Sequence, residues 1–229
     1  MKLVEAKGCN FDRLSSRAAG APGWHFSWGN PEIYTYFLPR IKEGQKVLDL
    51  GCGTGRNLHR LFFAGAEIVG VDSCDFIYNL GEEIRAEAGM NYPVVKMDAW
   101  KYLRKHGGEF DYIFAVDMLL HQRKSQAIER LEEIVETMKP GALLYINAPS
   151  TESYDYELAK SVFPELEKDT FEMECGCSGE PKLEPVCFFY PGELELHLAI
   201  PPKLEIADLE LVMSGSYRSV RNQVPPCIV

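Results

Sequence analysis

No apolar run in this sequence is long enough to cross a bilayer. The longest, Tyr112–Leu120, is short and broken by Asp117, whereas a spanning helix needs about 20 apolar residues. The opening decapeptide MKLVEAKGCN has no apolar block of the kind a secretion signal carries, so the expected location is cytoplasmic. Basic charge is also short: 24 Lys and Arg face 34 Asp and Glu, for a net charge of −10. Holding a phosphate backbone takes clustered cations that displace counterions, and this balance argues against nucleic acid as a partner. Internal repeats and low-complexity tracts are missing too. Seven cysteines are present, an odd number, without a secretion signal. That pattern argues for free thiols or a metal site rather than a disulfide framework.

What remains is an ordinary globular composition, 46% hydrophobic and 25% charged over 229 residues, enough for one α/β domain with insertions. Short β-branched or apolar runs at Val47–Leu50, Ile68–Val71, Val94–Val95, Tyr112–Val116 and Leu143–Ile146 read as buried parallel strands. Helical patterns lie between them. One carries Leu58, Leu61 and Phe62 and stops at Gly65; a second carries Phe76, Ile77, Leu80 and Ile84 and stops at Gly89; a third runs from Gln122 to Met138. An earlier helix is expected from Pro31 to about Ile41.

This alternation predicts a doubly wound α/β fold. The expected sheet has seven mostly parallel strands with helices on both faces and a final antiparallel strand. Within one domain, residues 1–40 form an N-terminal arm or lid, 41–150 the core, 151–199 a substrate-side insertion with a short helix near Glu193–Ala199, and 200–229 the C-terminal strands.

The stretch VLDLGCGTGRN, Val47 to Asn57, ends the first strand in a glycine turn. Gly51, Gly53 and Gly55 give G-x-G-x-G, and Arg56 stands where a dinucleotide fingerprint needs its third small residue for close helix–strand packing. Asp72 ends the next strand in VGVD, about where a ribose-binding acid belongs, and Asp98 follows the third in KMDAW.

These pieces, with FDYIFAVDMLLH and MKPGALLYI after them, resemble the motifs of class I S-adenosylmethionine (SAM)-dependent methyltransferases of the small-molecule type. The resemblance covers about Ile41–Ala148. It implies SAM as methyl donor and S-adenosylhomocysteine as product. Asp49, Gly51, Cys52, Gly53 and Gly55 would seat the methionine end. Asp72 and Ser73 would hold the ribose, Asp98, Ala99 and Trp100 would flank the adenine, and Val116 would lie at the fourth strand end. Asp49 can equally serve by orienting turn amides.

His121 follows the fourth strand, where related methyltransferases carry a histidine near the transferred methyl, and is the candidate general base; a helix-capping or pocket-lining role is the alternative. His59, on the helix after the glycine turn, is expected at the surface. Trp24, His25 and Trp28 suit a flap over SAM or a packed N-terminal arm, and Trp24 and Trp28 are the candidate substrate contacts. Cys175, Cys177 and Cys187 form C-x-C-x9-C, a set able to bind zinc or a thiophilic metalloid, but no second Cys pair accompanies them and no metal is assigned.

The leading expectation is therefore methyl transfer to a small-molecule acceptor. The alternatives are a protein or tRNA methyltransferase, and a non-catalytic SAM-binding or metal-responsive module built on the cysteine segment. The sequence does not specify the oligomeric state.

Overall fold

The structure is a computed structural model, and it describes residues 30–175, 182–198, 217–218 and 223–224. At its centre are five strands, β1 (Lys46–Leu50), β2 (Glu67–Asp72), β3 (Val94–Lys96), β4 (Tyr112–Ala115) and β5 (Leu143–Ile146). They pair in the order β3-β2-β1-β4-β5, all parallel. Nearly every residue of β1 and β4 is buried, as expected for parallel strands covered on both faces.

The first helical element is a single π-helical stretch, α1 (Ile33–Phe37), closed by Leu38 N–H donating to Ile33 O at 2.9 Å. It is shorter than the helix expected from the Pro31 pattern. Its Phe37 ring meets Tyr112, Phe114 and Tyr145 edge-on at centroid distances of 5.3 to 6.3 Å. On the same face of the sheet lie α2 (His59–Phe63) and α3 (Asp75–Ala88), which contribute Leu61, Leu80 and Ile84 to the core. The opposite face is covered by α4 (Ala99–His106) and α5 (Lys124–Thr137) through Leu103, Ala127, Leu131 and Ile134. No described helix is long and apolar enough to cross a membrane.

The chain then builds a separate unit, an annex. Helix α6 (Tyr154–Val162) leads into β6 (Glu165–Glu167), β7 (Thr170–Cys175) and β8 (Lys182–Cys187), an antiparallel sheet ordered β6-β7-β8, followed by α7 (Glu193–Leu198). The backbone ties it to the core: Cys187 N–H donates to Leu120 O at 3.0 Å, and Phe189 N–H to Pro149 O at 2.9 Å.

The expectation of seven strands in one sheet is corrected here. Among the described residues the central sheet has five strands, and the remaining strands form two other sheets. The annex strands carry glutamates at alternate positions, Glu165 and Glu167 in β6, Glu172 and Glu174 in β7. Such strands have one face to bury and cannot enter a sheet covered on both sides. Of the C-terminal strands expected over 200–229, the described part is the short antiparallel pair β9 (Tyr217–Arg218) and β10 (Gln223–Val224).

Candidate cofactor site

In an open parallel sheet a ligand sits beyond the carboxyl ends of the strands, where strand order reverses. Here that crevice lies between β1 and β4, and the turn after β1 is built for close approach. Gly51 and Gly55 have φ of +65° and +88°, in the region that favours glycine. A Cβ added at Gly51 would lie 2.0 Å from Met118 Sδ, and one at Gly55 would lie 2.1 Å from the Tyr92 hydroxyl. Gly53 N–H donates to Asp72 Oδ2 at 2.9 Å, and Cys74 N–H donates to Oδ1 at 2.8 Å. Asp72 thus fastens the glycine turn to the end of β2. Burial pushes its pKa up while these backbone donors oppose the shift.

Asp49 lies in β1 beneath the turn, fully buried, with both carboxyl oxygens lacking any hydrogen-bond partner among the described residues. Burial drives its pKa up to about 8, against the pull of Arg56 and with a smaller push from Asp72. A buried, unpartnered acid is rare in folded proteins and would be satisfied by a cationic or hydrogen-bonding ligand group. That, with the glycine cradle, fits the aminoacyl end of SAM.

Cys52 turns the other way. A Cβ at Gly70 of β2 would come within 2.7 Å of its Sγ, so the thiol packs into the core and only the Cys52 backbone belongs to the turn. Ser73, exposed, stands beside Asp72. Asp98 N-caps α4 by accepting from Lys101 N–H at 2.9 Å, Ala99 is buried, and Arg130 lies 4.9 Å over the Trp100 ring. Val116 is buried at the end of β4. The strand ends thus bring Asp49, the glycines, Asp72, Asp98 and Val116 to one edge of the sheet.

Across the crevice, Asp117 has φ of +55°, a strained value for a residue with a side chain. It is strapped on both sides. Its N–H donates to Asn147 Oδ1 at 2.5 Å, its Oδ1 accepts from Asn147 Nδ2 at 2.7 Å, and its Oδ2 meets Arg56 at 3.3 Å. Tyr34 OH donates to Arg56 O at 2.7 Å, and Asn57 Oδ1 accepts from Asn30 N–H at 2.9 Å. Asn30 and α1, through Tyr34, therefore rest on the glycine turn. Asn147, Tyr34, Asn30 and Met118 were not singled out from sequence. The one available signal was position, since Asn147 directly follows β5.

His121 is half-buried, with Nδ1 3.4 Å from Glu184 Oε2. Burial lowers its pKa, and the Glu184 and Asp117 carboxylates raise it. His59, expected at the surface, is instead packed beside Tyr92 with its Nε2 buried, and burial pushes its pKa down to about 4. Trp24, Trp28 and Cys177 lie outside the described residues, and the side chain of Cys175 is likewise not described. Cys187 is described, and its thiol donates to Leu119 O at 3.1 Å. In the β7–β8 ladder Cys187 faces Thr170 while Cys175 faces Lys182. The two cysteines stand at opposite ends, roughly 17 Å apart along a strand, too far to share one metal ion. No group of metal-ligating side chains occurs among the described residues.

Residues 47–141 match the family model described as a methyltransferase domain. A tRNA U34 carboxymethyltransferase from Saccharophagus degradans is 30% identical over 128 residues, 54% of this chain and 37% of that protein. A ubiquinone biosynthesis O-methyltransferase from Thiobacillus denitrificans is 27% identical over 116 residues, 51% of this chain and 49% of that protein. The matches thus span about half the length of these relatives or less. The solved SAM-dependent methyltransferase from Methanosarcina mazei superposes with a TM-score of 0.62 at 20% identity, covering 87% of this chain and 95% of that one. The glycine turn, Asp72 and the unpartnered Asp49 all lie within residues 47–141, the stretch that matches the methyltransferase-domain model, and the chain has the fold of the solved SAM-dependent methyltransferases.

Proposed function

We propose that this protein is an active methyltransferase that transfers the methyl group of SAM to a small-molecule acceptor. The observation that carries the reading is the unpartnered, buried Asp49 beneath a glycine turn that is itself fastened by Asp72. When bound, SAM supplies an electrophilic methyl together with its own leaving group, so the chain has mainly to orient the reactants. Asp49 and the turn amides face the aminoacyl end, Asp72 and Ser73 the ribose, and Asp98 to Trp100 the adenine. Residues 1–40, with Trp24 and Trp28, and residues 151–199 form the acceptor side; 41–150 is the cofactor core and 200–229 completes the domain. His121 stands on the acceptor side as general base.

The net charge of −10 favours a small acceptor over RNA, and one relative bears the name of a ubiquinone biosynthesis O-methyltransferase. The other relative's name favours tRNA as a second reading. Labelled SAM incubated with the purified chain and either a metabolite extract or bulk tRNA separates the two. Label in the low-molecular-weight fraction is expected, and label in tRNA alone would overturn the small-molecule assignment. Calorimetric titration tests the cofactor assignment directly. Asp72→Ala should weaken SAM binding by about 1 to 3 kcal/mol, and an unchanged affinity in the folded variant would refute it. The cytoplasm is the expected compartment.

A further inference from the structure

Gly51 begins the glycine turn, and the face left open by its missing side chain is covered by Met118. A Cβ added at Gly51 would run into Met118 Sδ and stand 2.9 Å from its Cγ and 3.4 Å from its Cε. The whole thioether end of Met118 therefore lies on that face. Met118 is half-buried and packs against the apolar core under α4 and α5. Its backbone is pinned on both sides. Before it, Asp117 is held to Asn147 by two hydrogen bonds and to Arg56 of the glycine turn by an ion pair. After it, Leu119 O accepts from the Cys187 thiol and Leu120 O from Cys187 N–H. The loop cannot withdraw without breaking these bonds, whereas the unbranched Met118 side chain can leave Gly51 by rotation about its own bonds.

We propose that Met118 competes with the methionine chain of SAM for the open face of Gly51, so that cofactor binding displaces the Met118 side chain. This deepens, and rests on, the reading above in which the glycine turn faces the aminoacyl end of SAM. The two occupants are chemically alike, since each is a pair of methylenes ending in a methyl-bearing sulfur. A surface able to pack one packs the other. SAM brings in addition a charged aminoacyl end, which the Met118 side chain lacks. Asp49 beneath the turn, without a partner among the described residues, is the group that rewards it, and this difference lets the ligand win the shared face. The competition lowers apparent affinity by the fraction of time the face is clear: a face clear for a tenth of the time weakens binding about 10-fold. A nucleoside without the methionine chain does not use that face and does not meet the competition.

The test uses the full chain and calorimetric titration with two ligands, SAM and methylthioadenosine, which keeps the adenosine and the sulfur but lacks the aminoacyl chain. Met118→Ala should tighten SAM binding by about 10-fold and leave the affinity for methylthioadenosine unchanged. Met118→Leu, which keeps an apolar chain of similar volume, should stay near the wild-type value for both. A second measurement needs no altered chain except for assignment. In wild-type protein carrying carbon-13 in its methionine methyl groups, the Met118 resonance is the one absent from the Met118→Ala spectrum. It should shift and narrow on addition of S-adenosylhomocysteine, as the side chain leaves Gly51. A SAM affinity lowered or unchanged in Met118→Ala, an equal gain for both ligands, or a Met118 resonance indifferent to S-adenosylhomocysteine overturns the proposal and leaves the methyl-transfer reading in place. SAM binding by neither the wild type nor Met118→Ala overturns both.

Discussion

The five-stranded core and the annex handle polar groups in opposite ways. In the core, strands β1 and β4 are apolar and sealed, and the one carboxylic acid among them, Asp49, is left without a partner. In the annex, the buried charges among the described residues are paired. Lys124 Nζ, at the start of α5, lies 2.9 Å from Asp169 and 2.8 Å from Glu193, and all three side chains are at least nine-tenths buried. Tyr156 OH donates to the second Asp169 oxygen at 2.6 Å. The turn between β6 and β7 also caps α5, with Glu167 accepting from Ser125 N–H at 3.0 Å and Thr170 from Lys124 N–H at 3.2 Å. The difference teaches what each part is for: an orphaned acid marks where a ligand belongs, while a satisfied ion cluster fixes how one unit sits on another.

The sharpest way to break the contrast is to unpair the annex. Lys124→Ala leaves two carboxylates buried without their cation, and chemical denaturation should register a loss of about 3 to 5 kcal/mol. Burial alone would raise the Asp169 pKa, yet the donors Tyr156 and Lys124 outweigh it and hold it below the usual range. Its contribution is therefore present above the ordinary Asp pKa and lost as pH falls through the lower folded value. In Lys124→Ala that acid-side loss should be reduced. A variant as stable as the wild type would show that the annex does not depend on this cluster.

Asp49 has the opposite sign. Its folded pKa of about 8 exceeds the unfolded value, so its contribution is fully present below about pH 4 and is lost as pH rises toward 8. Asp49→Asn removes that titration. The variant should lose about 2 kcal/mol less than the wild type between pH 5 and pH 7, and identical pH profiles would show that Asp49 is ionised in the fold. Smaller again is Gly55→Ala, which forces a side chain into φ of +88° against the Tyr92 hydroxyl. A cost of about 1 to 2 kcal/mol should accompany weaker SAM binding, whereas Gly108→Ala, at a glycine remote from the crevice, should leave that affinity unchanged.

The same contrast explains what the sequence made legible. The central strands read as short, mostly apolar runs between glycine turns and helical patterns, so the expected β1 to β5 lie within a residue of the observed ones. The glycine turn, Asp72 and Asp98 followed because each sits at the end of such a run. Annex strands such as ELE and TFEMEC carry no such signal, because their glutamates interrupt the apolar run, and Glu167 meets Ser125, 42 positions earlier in the chain. Nothing local in KLEPVC announces that Glu184 will meet His121, and nothing around His59 announces its burial beside Tyr92. Contacts made by tertiary packing between units leave no period in either unit.

The smallest effect lies where charge is paired but exposed. Arg104 of α4 reaches Glu133 of α5 at 2.6 Å, and Arg130 reaches the same carboxylate at 2.5 Å. Burial opposes ionisation of Glu133, but the two guanidinium groups prevail and its pKa falls. Water reaches this pair, with the Arg104 side chain 49% exposed, so solvent and salt screen what the geometry offers and ordering two long side chains offsets part of the rest. Arg104→Ala should cost less than about 1 kcal/mol and less still at 1 M salt, whereas the Lys124 deficit should persist at that ionic strength because its partners are buried. A thermal melt of both variants at low and high salt compares them directly. If the two deficits shrank in parallel, burial would not be what separates the annex cluster from an ordinary surface pair.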